Sequence, residues 1–253
     1  MKERDDEYLY ISGQHYDNEA HARGLINNRV TFYLEQAQKY GEPVLELACG
    51  TGLITIPIAK EGISIMGLDF SEIMLEHAIK KSKSENLNID WVKGDMANFH
   101  LDQKFSTIIM PGVAINWILD NQNLKNCLSC IKTHLKKNGR FIFDTFNPNL
   151  EILLRDPLQR FEREYPNPDG EGMVRVFTSN VYDNKTQINH VKFYYSFENK
   201  EIIREVKLRM LFPQELDALL HYNGFIIDYK YGSSKKEIFN SKSNYQIVIC
   251  HKR

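Results

Sequence analysis

Only four of the 253 residues are cysteine, which excludes a small secreted scaffold held by disulfides. Cys127 and Cys130 do form a C-x-x-C, but it lies inside the helical pattern Leu124–Leu135 with no second ligand pair nearby, so no metal is expected. Excess charge is missing too. The formal net charge of −1 and the pI near 6.7 provide no electrostatic reason to expect a nucleic-acid partner. The lysines that cluster (Lys80, Lys81 and Lys83, Lys136-Lys137, Lys235-Lys236) fall at expected helix ends or loops, where solvated lysine is ordinary. No apolar run is long enough to span a bilayer, so no membrane partner is expected. The opening Met-Lys-Glu-Arg-Asp-Asp-Glu lacks the apolar core of a signal peptide, and a reduced, cytoplasmic protein is expected. There is no G-x-S-x-G elbow, no H-E-x-x-H and no paired C-x-x-C, which weighs modestly against hydrolases and metalloenzymes.

What is present is concentrated at residues 43–52, Pro-Val-Leu-Glu-Leu-Ala-Cys-Gly-Thr-Gly. The apolar run Val44, Leu45, Leu47 reads as a buried strand with the acid Glu46 inside it. It breaks at Gly50-Thr51-Gly52, and an amphipathic segment, Leu53–Glu61, follows. Strand, glycine turn and helix start make the ligand-binding corner of a doubly wound α/β sheet. A dinucleotide fingerprint wants a third glycine at position 55, where this chain has Thr55, so the loop suits a ligand with no pyrophosphate to seat. The E-x-x-x-G-x-G spacing of Glu46, Gly50 and Gly52 resembles motif I of the class I S-adenosylmethionine-dependent methyltransferases of the small-molecule type.

The spacing downstream agrees with that resemblance. A second apolar run, Ile63–Leu68, ends at Asp69, seventeen residues after Gly52. An acid at the end of the second strand can accept two hydrogen bonds from a ribose diol, and the resemblance implies that role for Asp69. Ser71 reads as an N-cap of a helix through Lys80-Lys81. A third run, Ile89–Val92, leads into Gly94-Asp95-Met96, which resembles the family's G-D-[ML] adenine-binding loop. A fourth strand, Phe105–Met110, ends at Pro111-Gly112, and a fifth, Arg140–Asp144, follows Asn138-Gly139, read as a helix-ending pair. The resemblance implies S-adenosyl-L-methionine as cofactor, held by Tyr16, Glu46, Ala48, Gly50, Gly52, Asp69, Phe70, Met74, Asp95, Met96 and Met110.

The implied fold is a doubly wound seven-stranded, mostly parallel Rossmann-like sheet with its last strand antiparallel, and an antiparallel β insertion after the fifth strand. Residues 1–40 are expected to form an N-terminal lid and helix, residues 41–147 and 213–253 the α/β core, and residues 148–212 the insertion. Within the first segment Leu25, Ile26, Val30, Phe32, Tyr33 and Leu34 make a helical stripe that Asp17 or Asn18 could start. Tyr16 is expected either to fold over the sulfonium end of the cofactor or, with Tyr8 and Tyr10, to staple the helix to the core. In the insertion, Met173–Phe212 reads as three alternating runs separated by Asp183-Asn184-Lys185 and Glu198-Asn199-Lys200. Val191, Phe193, Tyr195 and Phe197 share one face of the second run, and Val206, Leu208, Met210 and Phe212 line the third. Pro213 begins a helix through Tyr222, and Phe225–Tyr231 and Tyr245–Cys250 make a closing hairpin. In the resembling family, insertions here cap the acceptor site or build a dimer interface, so a homodimer through the insertion is one expectation.

Methyl transfer from a sulfonium asks mainly for alignment and desolvation, so no catalytic residue is assigned. The partner is expected to be a small-molecule methyl acceptor, with a slight preference for an amine. His15, Asn116, Trp117, Asp144 and Asn147 are the candidates for binding it. The loop after the fourth strand lacks the Asn/Asp-Pro-Pro-aromatic motif of the adenine-N6 and glutamine-amide enzymes, which argues against those substrates. Trp117 could floor the acceptor pocket or be a core aromatic; Asp144 could orient an amine or cap the next helix. His190 is a second histidine with no visible partner. Two other readings stay open: a non-catalytic module that binds S-adenosylmethionine, and a nucleotide-dependent oxidoreductase, against which Thr55 argues.

Overall fold

A computed structural model of the protein describes residues 11–24 and 26–253, so the expectations for Tyr8, Tyr10 and Leu25 fall outside the described residues. Two helices, α1 (Gly13–Ala22) and α2 (Ile26–Tyr40), precede β1 (Val44–Leu47). Then come α3 (Thr55–Lys60), β2 (Ile65–Asp69), α4 (Glu72–Ser84), β3 (Asp90–Lys93) and β4 (Phe105–Met110). A 3-10 turn at Ala114–Trp117 leads to α5 (Asn121–His134), β5 (Leu135–Phe146) and the short α6 (Leu150–Leu153). The insertion supplies β6 (Arg160–Pro166), β7 (Met173–Asp183), β8 (Ile188–Ser196) and β9 (Glu201–Arg209). The chain closes with α7 (Pro213–Tyr222), β10 (Phe225–Tyr231) and β11 (Tyr245–Lys252).

The expected seven-stranded sheet is present, in the order β10-β11-β5-β4-β1-β2-β3. β1 to β5 run parallel, and β11 lies antiparallel between β5 and β10. The chain winds outward from β1 through β2 to β3, then returns to place β4 on the other side of β1. That reversal opens a crevice at the C-terminal ends of β1 and β4, the ordinary ligand position of such sheets. Alternation along the strands divides the core in two. Val44, Ile109, Ile142 and Ile247 face α2 and α3, while Leu45, Ile108, Phe141 and Phe143 face α5 and α7. Burying each such side chain stabilises the fold by roughly 1.5–3 kcal/mol. Among the described residues no helix is long and apolar enough to cross a membrane.

The insertion makes a second sheet, β6-β7-β8-β9, antiparallel throughout. Its three long strands follow the expected meander. The first strand, β6, did not show in the sequence because Arg-Phe-Glu-Arg-Glu-Tyr-Pro is mostly charged; it is an edge strand whose Tyr165 alone is fully covered.

Two boundaries differ from expectation. The N-terminal helix does not start at Asp17 or Asn18. Ser12 caps α1, its Oγ accepting from the His15 amide at 3.2 Å, and Gly24, at φ +66°, separates α1 from α2. Asp17 is buried and spends its carboxylate on Thr51, His77 and Lys81, which ties α1 to the glycine turn and to α4. Nor do Asn138-Gly139 end a helix. α5 stops at His134, and both residues lie inside β5, where a Cβ on Gly139 would sit 2.8 Å from the Ser106 carbonyl. Ser71 does cap α4, accepting from the Met74 amide.

Asn116 joins the two sheets. It is wholly buried, its amide donates to the Arg209 carbonyl at 2.6 Å, and its oxygen accepts from the Thr145 hydroxyl at 2.9 Å. Both ends are spent on protein, so this residue is not an acceptor ligand, contrary to expectation. Asn116→Ala would leave the Arg209 carbonyl buried without its partner, and is expected to lower stability by about 1–3 kcal/mol in urea titration.

Candidate active site

The corner after β1 is built from positive-φ residues. Ala48 has φ +55°, Gly50 +55° and Gly52 +78°. The two glycines serve different ends. A Cβ on Gly50 would lie 3.9 Å from both the Met74 methyl and the Tyr16 ring, at ordinary contact distance, so the positive φ rather than crowding favours glycine there. A Cβ on Gly52 would come within 2.6 Å of the Trp91 ring, so Gly52 is required by packing. Asp69, buried at the end of β2, holds the turn: one carboxylate oxygen accepts from the Gly50 amide at 2.7 Å and the other from the Ser71 amide at 2.9 Å.

A cavity of about 520 Å³ opens against this corner. Of the expected cofactor residues, Tyr16, Ala48, Gly50, Asp69, Phe70, Met74, Asp95 and Met96 line it. Asp95 is oriented by the Ala97 amide, which donates to it at 2.8 Å. Three of the expected residues lie elsewhere. Glu46 sits beneath the turn, bonded to the Thr55 hydroxyl; Gly52 faces Trp91; Met110 is packed in the core beside Leu68 and Phe143. Tyr16 is carried by α1 itself, not by a segment ahead of the helix. Burial pushes its hydroxyl up to about 12, so it stays a neutral phenol. The roof was not legible in the sequence: Glu205 and Val206 of β9 close the cavity from the insertion.

A second chamber of about 230 Å³ adjoins the first and shares Tyr16, Gly112, Trp117 and Val206 with it. Trp117 thus lines both cavities rather than lying wholly in the core. Of the other acceptor candidates, His15 points away, bonded to the Tyr165 hydroxyl at 3.0 Å and to Asp169 at 2.9 Å. Asp144 is buried behind the wall, where it accepts from the Gly112 and Val113 amides at 2.9 and 3.2 Å and from the Tyr33 hydroxyl at 2.7 Å. It shapes the loop after β4 rather than meeting a ligand. Asn147 lines a third cavity of about 370 Å³ beyond the chamber and donates to the Ser243 carbonyl. His190 lies outside all three cavities, 3.6 Å from Glu205.

The chamber's polar groups come from α1, α2 and the insertion. Glu19 accepts from Arg23 and Arg163, each at 2.7 Å, and from the Tyr195 hydroxyl at 3.1 Å. Burial opposes its ionisation, but the two guanidiniums outweigh that and hold the carboxyl below its ordinary range. Arg29 lies 3.5 Å from Asp144. None of these arginines was singled out from the sequence. Their one trace is position: Glu19 on α1 and Arg23, the residue just after it, are four apart and within reach of each other.

Glu46 has an opposite environment. Buried beneath the turn, its carboxyl is pushed up to about 8, chiefly by desolvation. From its ordinary value of 4.5 up to about 8, the folded protein keeps a proton that the unfolded chain has lost, so stability falls as pH rises through that window. Glu46→Gln cannot ionise and keeps a partner for Thr55. Its denaturation midpoint should change less than that of the wild type between about pH 5 and about pH 8.

Comparison with known proteins agrees with this geometry. A family described as a methyltransferase domain matches residues 44–139. The chain is 30% identical over 132 residues to a ubiquinone biosynthesis O-methyltransferase of Coxiella burnetii, covering 51% of this chain and 55% of that protein. It is 31% identical over 96 residues to a dTDP-3-amino-3,4,6-trideoxy-alpha-D-glucopyranose N,N-dimethyltransferase of Streptomyces venezuelae, covering 38% of this chain and 39% of that one. The chain thus spans only about half, or less, of the length of these two relatives. The fold also matches the crystal structure of an S-adenosylmethionine-dependent methyltransferase from Clostridium acetobutylicum, with a TM-score of 0.77, 20% identity, and 94% of this chain and 96% of that one covered. Residues 44–139 thus match a methyltransferase-domain family, and the chain shares its fold with the Clostridium S-adenosylmethionine-dependent methyltransferase.

Proposed function

We propose that this protein transfers a methyl group from S-adenosylmethionine to a small molecule, an amine by preference. The observation that carries the reading is a pair of adjoining cavities with a common wall of Tyr16, Gly112, Trp117 and Val206. The larger fits an adenosine-bearing ligand. Asp69 at the end of β2 is placed for a ribose diol, Asp95 with Met96 for an adenine edge, and the Cβ-free face of Gly50 for the amino-acid tail. When bound, S-adenosylmethionine supplies a methyl carbon already activated by a positively charged sulfur.

The protein's own part is positioning and exclusion of water. Tyr16 and Trp117 close the junction with ring surface, and Asp144 fixes the Gly112–Val113 backbone beneath it. Such alignment is worth roughly 7–11 kcal/mol in favourable cases. The acceptor nitrogen would form its new bond to carbon as the carbon–sulfur bond breaks, with that electron pair leaving on sulfur. The resulting ammonium then sheds its proton to water. No histidine lines the chamber among the described residues, and Glu19 is committed to two arginines. An acceptor that brings its own lone pair suits such a site better than an alcohol that needs a base. The amino-sugar acceptor in the name of the Streptomyces relative supports nitrogen; the Coxiella relative, an O-methyltransferase, makes oxygen the rival to separate.

The same reading assigns residues 148–212 as the cap of the acceptor space, supported by the five insertion residues Phe193, Tyr195, Arg204, Val206 and Leu208 in the chamber wall. It includes a cytoplasmic setting, supported by four free cysteines, and no nucleic-acid partner, supported by the near-zero net charge. Val181 and Ile203, exposed on the insertion sheet, support contact between two copies there.

Calorimetry with S-adenosylmethionine and NAD side by side tests the reading: the sulfonium compound is expected to bind and the dinucleotide not to. Asp69→Ala should weaken that binding by about 1.5–3 kcal/mol, the worth of hydrogen bonds to a charged group. Unchanged affinity would remove Asp69 from the site. A screen of small amines, phenols and acids for release of S-adenosylhomocysteine then identifies the acceptor.

A further inference from the structure

The acceptor chamber carries a surplus of positive charge that the methyl-transfer reading does not use. Three arginines line it, Arg23, Arg29 and Arg204, against the single carboxylate of Glu19. Glu19 is shared with Arg163 behind the wall, and Asp144, the partner of Arg29, also serves two backbone amides and Tyr33. The anions present are therefore each divided among several donors.

Arg204 is the odd one. It lies on β9, where the period-two alternation assigns one face to Val206, Leu208 and Met210. Arg204 falls on that apolar face, directly opposite Phe193 of β8, at a position where the pattern calls for a hydrophobic residue. Its Nε is buried and has no hydrogen-bond partner. A buried guanidinium N–H without an acceptor is costly, and arginine is the side chain best shaped to grip a planar or tetrahedral anion. Phe193, Tyr195, Trp117 and Tyr245 give the chamber that Arg204 lines an aromatic wall.

Resting on the methyltransferase reading, we propose that the methyl acceptor is an anion, bearing a carboxylate or phosphate group that Arg204 binds, with Arg23 and Arg29 adding their field to it. The nucleophilic nitrogen lies toward the wall of Tyr16 and Trp117, and the anionic group toward the insertion sheet. One molecule therefore carries both groups. Ring or chain carbon joins them across the apolar middle of the chamber.

Calorimetry in the presence of S-adenosylhomocysteine tests this with benzoate and phenyl phosphate as anionic probes and benzamide as the neutral counterpart of benzoate. At least one anion is expected to bind about tenfold or more tightly than benzamide, and Arg204→Gln to abolish that preference. The two anions separate a carboxylate reader from a phosphate reader. In parallel, the Nε–H resonance of Arg204, assigned by its loss in Arg204→Lys, should shift on titration with the tighter anion. S-adenosylhomocysteine should bind Arg204→Gln as it binds the wild type, which also shows that the variant is folded. Benzamide binding as well as the anions, no binding of either anion, or an unmoved Arg204 resonance would overturn the proposal while the cofactor reading stands. Loss of S-adenosylhomocysteine binding by the wild type would instead overturn the reading beneath it.

Discussion

The bonds from Asp69 to the Gly50 and Ser71 amides are the constraint on which the site depends. Backbone at positive φ is unfavourable for most residues, and the turn after β1 contains three such positions in five residues. A buried carboxylate that accepts from two backbone N–H groups holds that turn open while satisfying its own charge. The same acid ends β2 and lies at the edge of the cavity, so one side chain sets the loop and meets the ligand space. The arrangement follows from parallel pairing of β1 with β2, which brings the ends of both strands to one rim.

Everything beyond that rim comes from parts that a minimal sheet does not need. α1 lies over the glycine turn because Asp17 is anchored to Thr51, His77 and Lys81. Its other end is tied to the insertion through Glu19, which reaches Arg163 and Tyr195, and through His15, which reaches Tyr165. α1 and the insertion are thus linked by hydrogen bonds, the Glu19–Arg163 pair among them charge-assisted, between residues about 150 apart in the chain. The chamber exists in the space between these parts and the sheet. Its chemistry is decided by them, since Arg23 comes from just after α1 and Arg204 from β9.

The parts of the protein legible in the sequence are those where local pattern and burial agree. β1, β4 and the closing hairpin are predominantly apolar runs, and α7 is bracketed by Pro213 and Asn223-Gly224. The landmarks from Ala48 to Met96 sit at strand ends, so sequence order alone assembles most of the larger cavity. Legibility failed where a polar residue was used for structure. His15, Asn116 and Asp144 have the side chains of a binding site, yet each is consumed by protein partners. β6 was hidden for the converse reason: an edge strand needs only one neighbour, so its charged residues leave no apolar trace.

By itself, then, the sequence determined the sheet, its winding and the glycine corner, because strand periodicity and turn chemistry are local and repeat along the chain. Only the tertiary structure decided which polar residues are braces and which face the chamber. Hydrogen-bond partners of a buried group depend on what the fold brings beside it, and no spacing rule encodes a contact between α1 and β8. The arginines of the chamber show this most plainly. Scattered over positions 23 to 204, they become one positive surface when the insertion closes over the rim.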